Sequence, residues 1–126
     1  MKGLNQISFK IIGASIKVHQ KLGPGLLESV YEQALIHEVN LLGLKTENQV
    51  KQGIVYDGIK FPKAYRIDLL VENQVIIEIK AIEKLTPVHF SQTLSYLKLS
   101  GLKLALLINF RENVLKNGIK RIVNNL

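Results

Sequence analysis

Apolar residues recur along this chain with two different periods, and the change of period marks out its elements. Ile7, Ile11, Ala14, Val18 and Leu22 fall at helical spacing. They predict a first helix over residues 6–21, broken by Gly23-Pro24-Gly25. A second helix is expected over 26–42, with Leu27, Val30, Tyr31, Ala34, Leu35 and Leu42 as its buried side and Gly43 ending it. From residue 46 the period shortens. Residues 46–56 read as a strand with a polar outer face, Asp57-Gly58 as a hairpin turn, and 59–61 as the start of a return strand. Pro62 interrupts that strand and marks an edge or a bulge. Two further apolar strands, 65–71 and 75–82, are joined by the polar turn Glu72-Asn73-Gln74. Thr86-Pro87 opens a third helix, with threonine as N-cap and proline at the first helical position. It carries the stripe Phe90, Leu94 and Leu97 and stops at Gly101. Residues 102–108 are nearly all apolar, as in a buried strand running parallel to a neighbour. Beyond 111, Asn117-Gly118 favours a hairpin between 114–115 and 119–123, with a short helix as the alternative.

Three charges interrupt the two central apolar strands: Asp68, Glu78 and Lys80. Glu78 and Lys80 are two apart and project to one face of a strand. Whether Asp68 joins them is a question of register. If Val71 pairs with Val75 across a three-residue loop, Asp68 falls opposite Glu78; a two-residue loop turns it away, because a one-residue slip reverses every side chain. An odd-numbered loop, or a bulge of the same effect, is therefore expected. Two carboxylates beside a lysine have a chemical use. Their oxygens suit a hard divalent cation such as magnesium, and the ammonium can orient an attacking water or stabilise charge developing on a phosphate. The plainer reading is a solvated strand with a cross-strand ion pair.

Other residues invite the same weighing. Glu28 shares a helical face with Tyr31 and Leu35, and a carboxylate leaning toward a core needs a metal or a lysine; it is equally placed to complement the helix dipole. Gln92 and Tyr96, four apart on the third helix, can meet one partner, whether a phosphate, a base or Lys80; otherwise they are a surface amide beside a half-buried tyrosine. His19 lies beside the first helix's apolar stripe and reads as structural. His89 falls in the first turn of the third helix, at the surface or near a phosphate. Lys116, Lys120 and Arg121 form a basic trio that could touch a phosphate backbone; the plainer reading is a solvated tail.

Composition narrows the chemistry. At 126 residues the chain is expected to form one domain, 1–126, large enough to bury roughly two-thirds of its unfolded surface. It has no cysteine, which excludes disulfides, thiolate metal sites and cysteine nucleophiles and is compatible with a cytoplasmic location. No stretch reads as a signal peptide or a membrane span. A net charge of +7, from 17 basic and 10 acidic residues, favours a polyanionic partner, nucleic acid first. There is no glycine-rich Walker loop and no HExxH zinc motif. A homodimer is compatible with so short a chain, though no residue specifies one.

The order helix, helix, three strands, helix, strand, with an acid and then Glu-x-Lys on adjacent central strands, resembles the PD-(D/E)XK nuclease superfamily. Gly25-Leu26-Leu27-Glu28-Ser29-Val30-Tyr31 is similar to the signature of its GxxExxY family. So are Tyr65-Arg66-Ile67-Asp68-Leu69-Leu70-Val71, Glu78-Ile79-Lys80-Ala81, the run from Pro87 to Leu97, and Leu104-Ala105-Leu106-Leu107-Ile108-Asn109-Phe110. The resemblance implies an α/β fold, a mixed central β-sheet flanked by helices with a restriction-endonuclease-like core. It implies that Asp68 and Glu78 hold a metal, Mg2+ or in its place Mn2+, that Glu28 is a further acidic member of the site, and that Lys80 acts on the attacking water. Gln92 and Tyr96 match the glutamine–tyrosine motif of the RecB-like branch, where such residues position substrate or the lysine. One departure is that Ile67, not proline, precedes Asp68. The expected function is a metal-dependent nuclease that hydrolyses DNA. The alternatives are a non-cleaving nucleic-acid-binding module on the same fold and a structural protein whose acids and lysine merely pair.

Overall fold

The computed structural model describes residues 3–126. Its elements are α1 (Leu4–Leu22), α2 (Glu28–Leu41), β1 (Thr46–Tyr56), β2 (Ile59–Val71), β3 (Val75–Lys80), α3 (Pro87–Ser100), β4 (Leu104–Asn109), a 3-10 turn at Leu115–Gly118, and β5 (Ile119–Val123). The strands form one sheet in the order β1-β2-β3-β4-β5. Only β3 and β4 run parallel, with α3 as their crossover; the other neighbours are antiparallel. The sheet is mixed and the fold is α/β, as expected.

The central strands are covered on both faces. Val75, Ile77 and Ile79 of β3 and Leu104, Leu106 and Ile108 of β4 meet the stripe of α1 and Tyr31, Leu35 and Val39 of α2. Ile76 and Ala105, on the alternate face, meet Leu97 of α3 together with Ile67 and Leu70. This is why β3 and β4 read as continuous apolar runs. The stripe of α1 is buried as predicted up to Val18. That of α2 is not: Leu27, Val30 and Leu42 are exposed, and the buried line is Tyr31, Leu35, Val39 at a strict four-residue step, with Glu32 beside it. The leucines flanking this helix, Leu26, Leu27 and Leu42, blurred the period from which its inner side was read.

Both turns take the conformations their sequences demand. Asp57 and Gly58 have φ of 51° and 77°, and Tyr56 pairs with Ile59, the two-residue primed turn that matches strand twist. Glu72 and Asn73 also have positive φ, and Val71 pairs with Val75. The loop is therefore three residues long. The left-handed Glu72 is held there by two bonds to Lys45: its N–H donates to the Lys45 carbonyl, and its carboxylate accepts from the Lys45 N–H. Pro62 does not divide β2 but sits at a bulge opposite Gly53. A Cβ on Gly53 would lie 3.0 Å from the Phe61 carbonyl oxygen and 3.2 Å from Pro62 Cα, so a side chain there would press on the paired strand.

Three expectations are corrected. β3 ends at Lys80 rather than residue 82. Asn117-Gly118 is no hairpin turn: it lies in the 3-10 turn, and β5 pairs with β4 instead. Of the basic trio, Arg121 is engaged with α1, its guanidinium donating to Asn5 Oδ1 at 3.2 Å and Ser8 Oγ at 3.4 Å. Among the described residues, no helix is long and apolar enough to cross a membrane.

Candidate active site

The site forms where β2 and β3 part. Their ladder runs from Val71↔Val75 to Leu69↔Ile77 and stops. One step further, Asp68 and Glu78 face each other, and their side chains replace the ladder. Glu78 Oε2 accepts from the Asp68 N–H at 3.0 Å, and Asp68 Oδ2 accepts from the Ile79 N–H at 2.9 Å. Each carboxylate thus clasps the opposite strand. The expectation of one shared sheet face is corrected here. Leu69 packs in the α1/α2 layer, whereas Ile67, two residues earlier, packs in the α3 layer. Regular alternation would put both in one layer, so β2 rolls over at Asp68. The two acids meet in the split between strands.

Burial sets their electrostatics. Glu78 is 3% exposed. Loss of water, and then the charge of Asp68, push its carboxyl up to about 8. Asp68 is also raised, chiefly by burial, against the pull of the Ile79 N–H, Lys80 and Arg66. Lys80 follows Glu78 by two residues, and its ammonium favours the ionised form of both acids. Arg66 adds to this weakly: its guanidinium lies 3.9 Å from Asp68 Oδ1, too far for a hydrogen bond.

Glu28 begins α2, and its Oε2 accepts from the Ala81 N–H at 3.2 Å, just past the end of β3. It lines one recess with Asp68, Arg66, Ser29, Glu32, Gln49 and Ile79. It does not complete a cage: among the described residues, no group of three or more acids or histidines is placed to hold an ion together. The chain just before Glu28 is anchored by Tyr31. The Tyr31 hydroxyl donates to the Gly23 carbonyl at 2.5 Å and accepts from the Leu26 N–H at 2.9 Å, while its ring stacks on Phe110 at 4.6 Å. One side chain therefore ties the loop before α2 to the core. Replacing it by phenylalanine keeps the stack and orphans both backbone groups. Tyr31→Phe is expected to lose about 1–3 kcal/mol in denaturant unfolding; an unchanged midpoint would show that the tie carries no weight.

A profile describing the PD-(D/E)XK nuclease superfamily matches residues 5–122. The chain belongs to that superfamily. No curated protein and no solved structure gives a significant match. Members of the PD-(D/E)XK superfamily are generally hydrolytic nucleases and typically use divalent metal ions, so membership carries a nuclease-like function and a nucleic-acid substrate. The donor set at the strand split fits such an ion in kind. Asp68 and Glu78 offer hard oxygen donors, they repel one another in a buried place, and a dication would relieve both penalties.

Tyr96 of α3 borders this pair of acids. It is half-buried, stacks on Tyr65 of β2 with ring centroids 4.9 Å apart, and has its hydroxyl raised by burial and then by the charges of Glu78 and Asp68. Gln92, one turn earlier, is exposed. His89 is half-buried in the first turn of α3; its Nδ1 accepts from the Thr86 N–H at 2.9 Å and closes the capping box. His19 is structural as read, its Nε2 lying 2.6 Å from the Glu112 carbonyl.

Sequence reasoning missed Glu32 and Gln49. Glu32 is 8% exposed and accepts from Gln49 Nε2 at 2.5 Å and Asn48 Nδ2 at 3.4 Å. Gln49 has a φ of +53° inside β1, between Asn48↔Leu69 and Val50↔Ile67, and so stands across from Asp68. A left-handed glutamine in a strand is costly, and its amide bond to a buried glutamate holds it there. The available signal was Glu32 itself, four after Glu28 and hence on the same helical face.

Proposed function

We propose that this chain is a metal-dependent nuclease of the GxxExxY type, hydrolysing DNA phosphodiester bonds from one nuclease domain over 1–126. One observation carries the reading: two carboxylates, the half-buried Asp68 and the buried Glu78, clasp each other's strands at a break in the sheet, with the charge of Lys80 acting on both. Asp68 and Glu78 would hold Mg2+, or Mn2+ in its place, and Glu28 would join them from the start of α2. When bound, the ion supplies Lewis acidity and charge neutralisation at the scissile phosphoryl group. Lys80 holds the attacking water by hydrogen bond and stabilises negative charge as it builds on the phosphate. Tyr96, its ring seated on Tyr65, donates its hydroxyl proton toward the substrate. Gln92, exposed one turn away, orients the strand entering the site.

The test is cleavage of end-labelled DNA. Wild type is expected to cut with magnesium and not with EDTA, and Asp68→Ala to cut at least a hundredfold more slowly. Equal rates for wild type and variant would remove the assignment. A second reading, a non-cleaving nucleic-acid-binding module, is favoured by the position of Glu28 outside a three-acid cluster among the described residues. Binding that falls steeply with salt, with no metal-dependent cutting, would select it.

A further inference from the structure

Two paired strands change faces at the same level, and one residue accounts for it. Leu69 of β2 packs in the α1/α2 layer, and its partner Asn48 reaches Glu32 of α2. Two residues away, Ile67 and its partner Val50 pack in the α3 layer. Regular alternation would keep Leu69 with Ile67, and Asn48 with Val50, on one face. Both strands therefore roll over in a single step, at Gln49 in β1 and at Asp68 in β2. No residue from Ile59 to Val71 has a positive φ, whereas Gln49 has a φ of 53°. The roll is made by the backbone of β1, and β2 follows through its pairing.

The roll decides where Asp68 goes. With Ile67 in one layer and Leu69 in the other, the side chain between them lies near the plane of the sheet. There it meets backbone: Asp68 Oδ2 accepts from the Ile79 N–H. A regular β2 would aim it into one layer, away from that N–H. Something must keep Gln49 left-handed, a conformation that costs a glutamine energy. The buried Glu32 does so. Its two oxygens accept from successive side chains, Gln49 Nε2 and Asn48 Nδ2. Successive residues of a regular strand point to opposite faces, so one carboxylate holds both only where the chain turns between them. Glu28, one helical turn earlier, accepts from the Ala81 N–H beyond β3. α2 thus grips the split from both sides, β1 through Glu32 and the end of β3 through Glu28.

We infer that Glu32 and Gln49 are positioning residues for Asp68: the Glu32 carboxylate holds Gln49 left-handed, and the roll this imposes turns Asp68 into the split beside Glu78. Their use in catalysis rests on the nuclease reading, whereas the geometry they impose needs neither metal nor DNA.

The experiment reads the place of Asp68 without metal or substrate. Amide hydrogen exchange is followed by NMR in EDTA at the Ile79 N–H, whose acceptor is Asp68, and at Leu106 in the middle of β4, which reports the fold as a whole. Gln49→Val, whose β-branched side chain opposes positive φ, and Glu32→Ala should each speed exchange at Ile79 about tenfold or more relative to Leu106. Gln49→Gly adopts positive φ freely, so it should leave that ratio near wild type and restore it when added to Glu32→Ala. Mn2+ affinity by calorimetry should fall about 10–100-fold in Gln49→Val and Glu32→Ala. A wild-type ratio in both of those variants overturns the positioning role, as does equal quickening at Ile79 and Leu106. So does a glycine as damaging as valine, since the Gln49 side chain would then act by itself. The expected exchange pattern in a protein that binds no Mn2+ and cuts no DNA leaves the positioning standing and removes the nuclease reading.

Discussion

Lys80→Ala is expected to lower the rate constant of magnesium-dependent cleavage by about 10²–10³-fold, while divalent-metal affinity changes little. The magnitude follows from removing one preorganised donor aimed at developing charge. The separation of the two effects follows from position. Lys80 stands two residues after Glu78 at the end of β3 and makes no ion pair with either acid among the described residues, yet its charge favours ionisation of both. Its ammonium is thus held close without being neutralised, and remains available to water or phosphate. Its loss should also raise both carboxyl groups further, so the acidic limb of the pH–rate profile should move to higher pH. Single-turnover cleavage beside calorimetric Mn2+ titration reads both effects. A tenfold or greater loss of metal affinity with the chemical step intact would make Lys80 an electrostatic prop of the acids.

Glu78→Gln should stabilise the metal-free protein at alkaline pH. Glu78's carboxyl has an ordinary value of 4.5 and is pushed up to about 8 in the fold. Between those values the folded state keeps a proton that the unfolded chain has released. Stability from this group is therefore complete below pH 4.5 and is lost as pH rises through 8. At about 1.4 kcal/mol per unit, the loss amounts to a few kcal/mol, or roughly 10–20 °C in Tm for a chain of this size. Asp68 is raised too and acts in the same sense. A glutamine can still accept from the Asp68 N–H and carries no charge to bury. In EDTA, the variant should melt above wild type at pH 8.5, and the gap should close toward pH 5. Magnesium at pH 8.5 should raise wild type and leave the variant nearly unmoved, because an ion that binds only the folded state stabilises by mass action. Melting curves that stay parallel from pH 5 to 8.5 would show that Glu78 carries no such burden.

The acids that make this chain costly to fold are the ones its chemistry would use, and the same contrast separates what was legible in the chain from what was not. Local patterns settled the elements. Helical spacing from Ile7 to Val18 placed α1, Asp57-Gly58 and Glu72-Asn73-Gln74 dictated their turns, and the odd length of the second turn brought Asp68 opposite Glu78. Each depends on backbone sterics or on periods within a few residues, which a sequence carries whole. Relations between distant segments were not carried. The roll of β2 at Asp68, Glu32 drawing Gln49 into a left-handed strand conformation, and β5 pairing with β4 all depend on which surface another element offers. The sequence by itself determined which acids and which amine stand on adjacent strands, and at what register. Only the tertiary structure decided that the two acids meet in a gap between strands, buried deeply enough for one to resist ionisation, because desolvation is a property of the assembled layers and not of any stretch of chain.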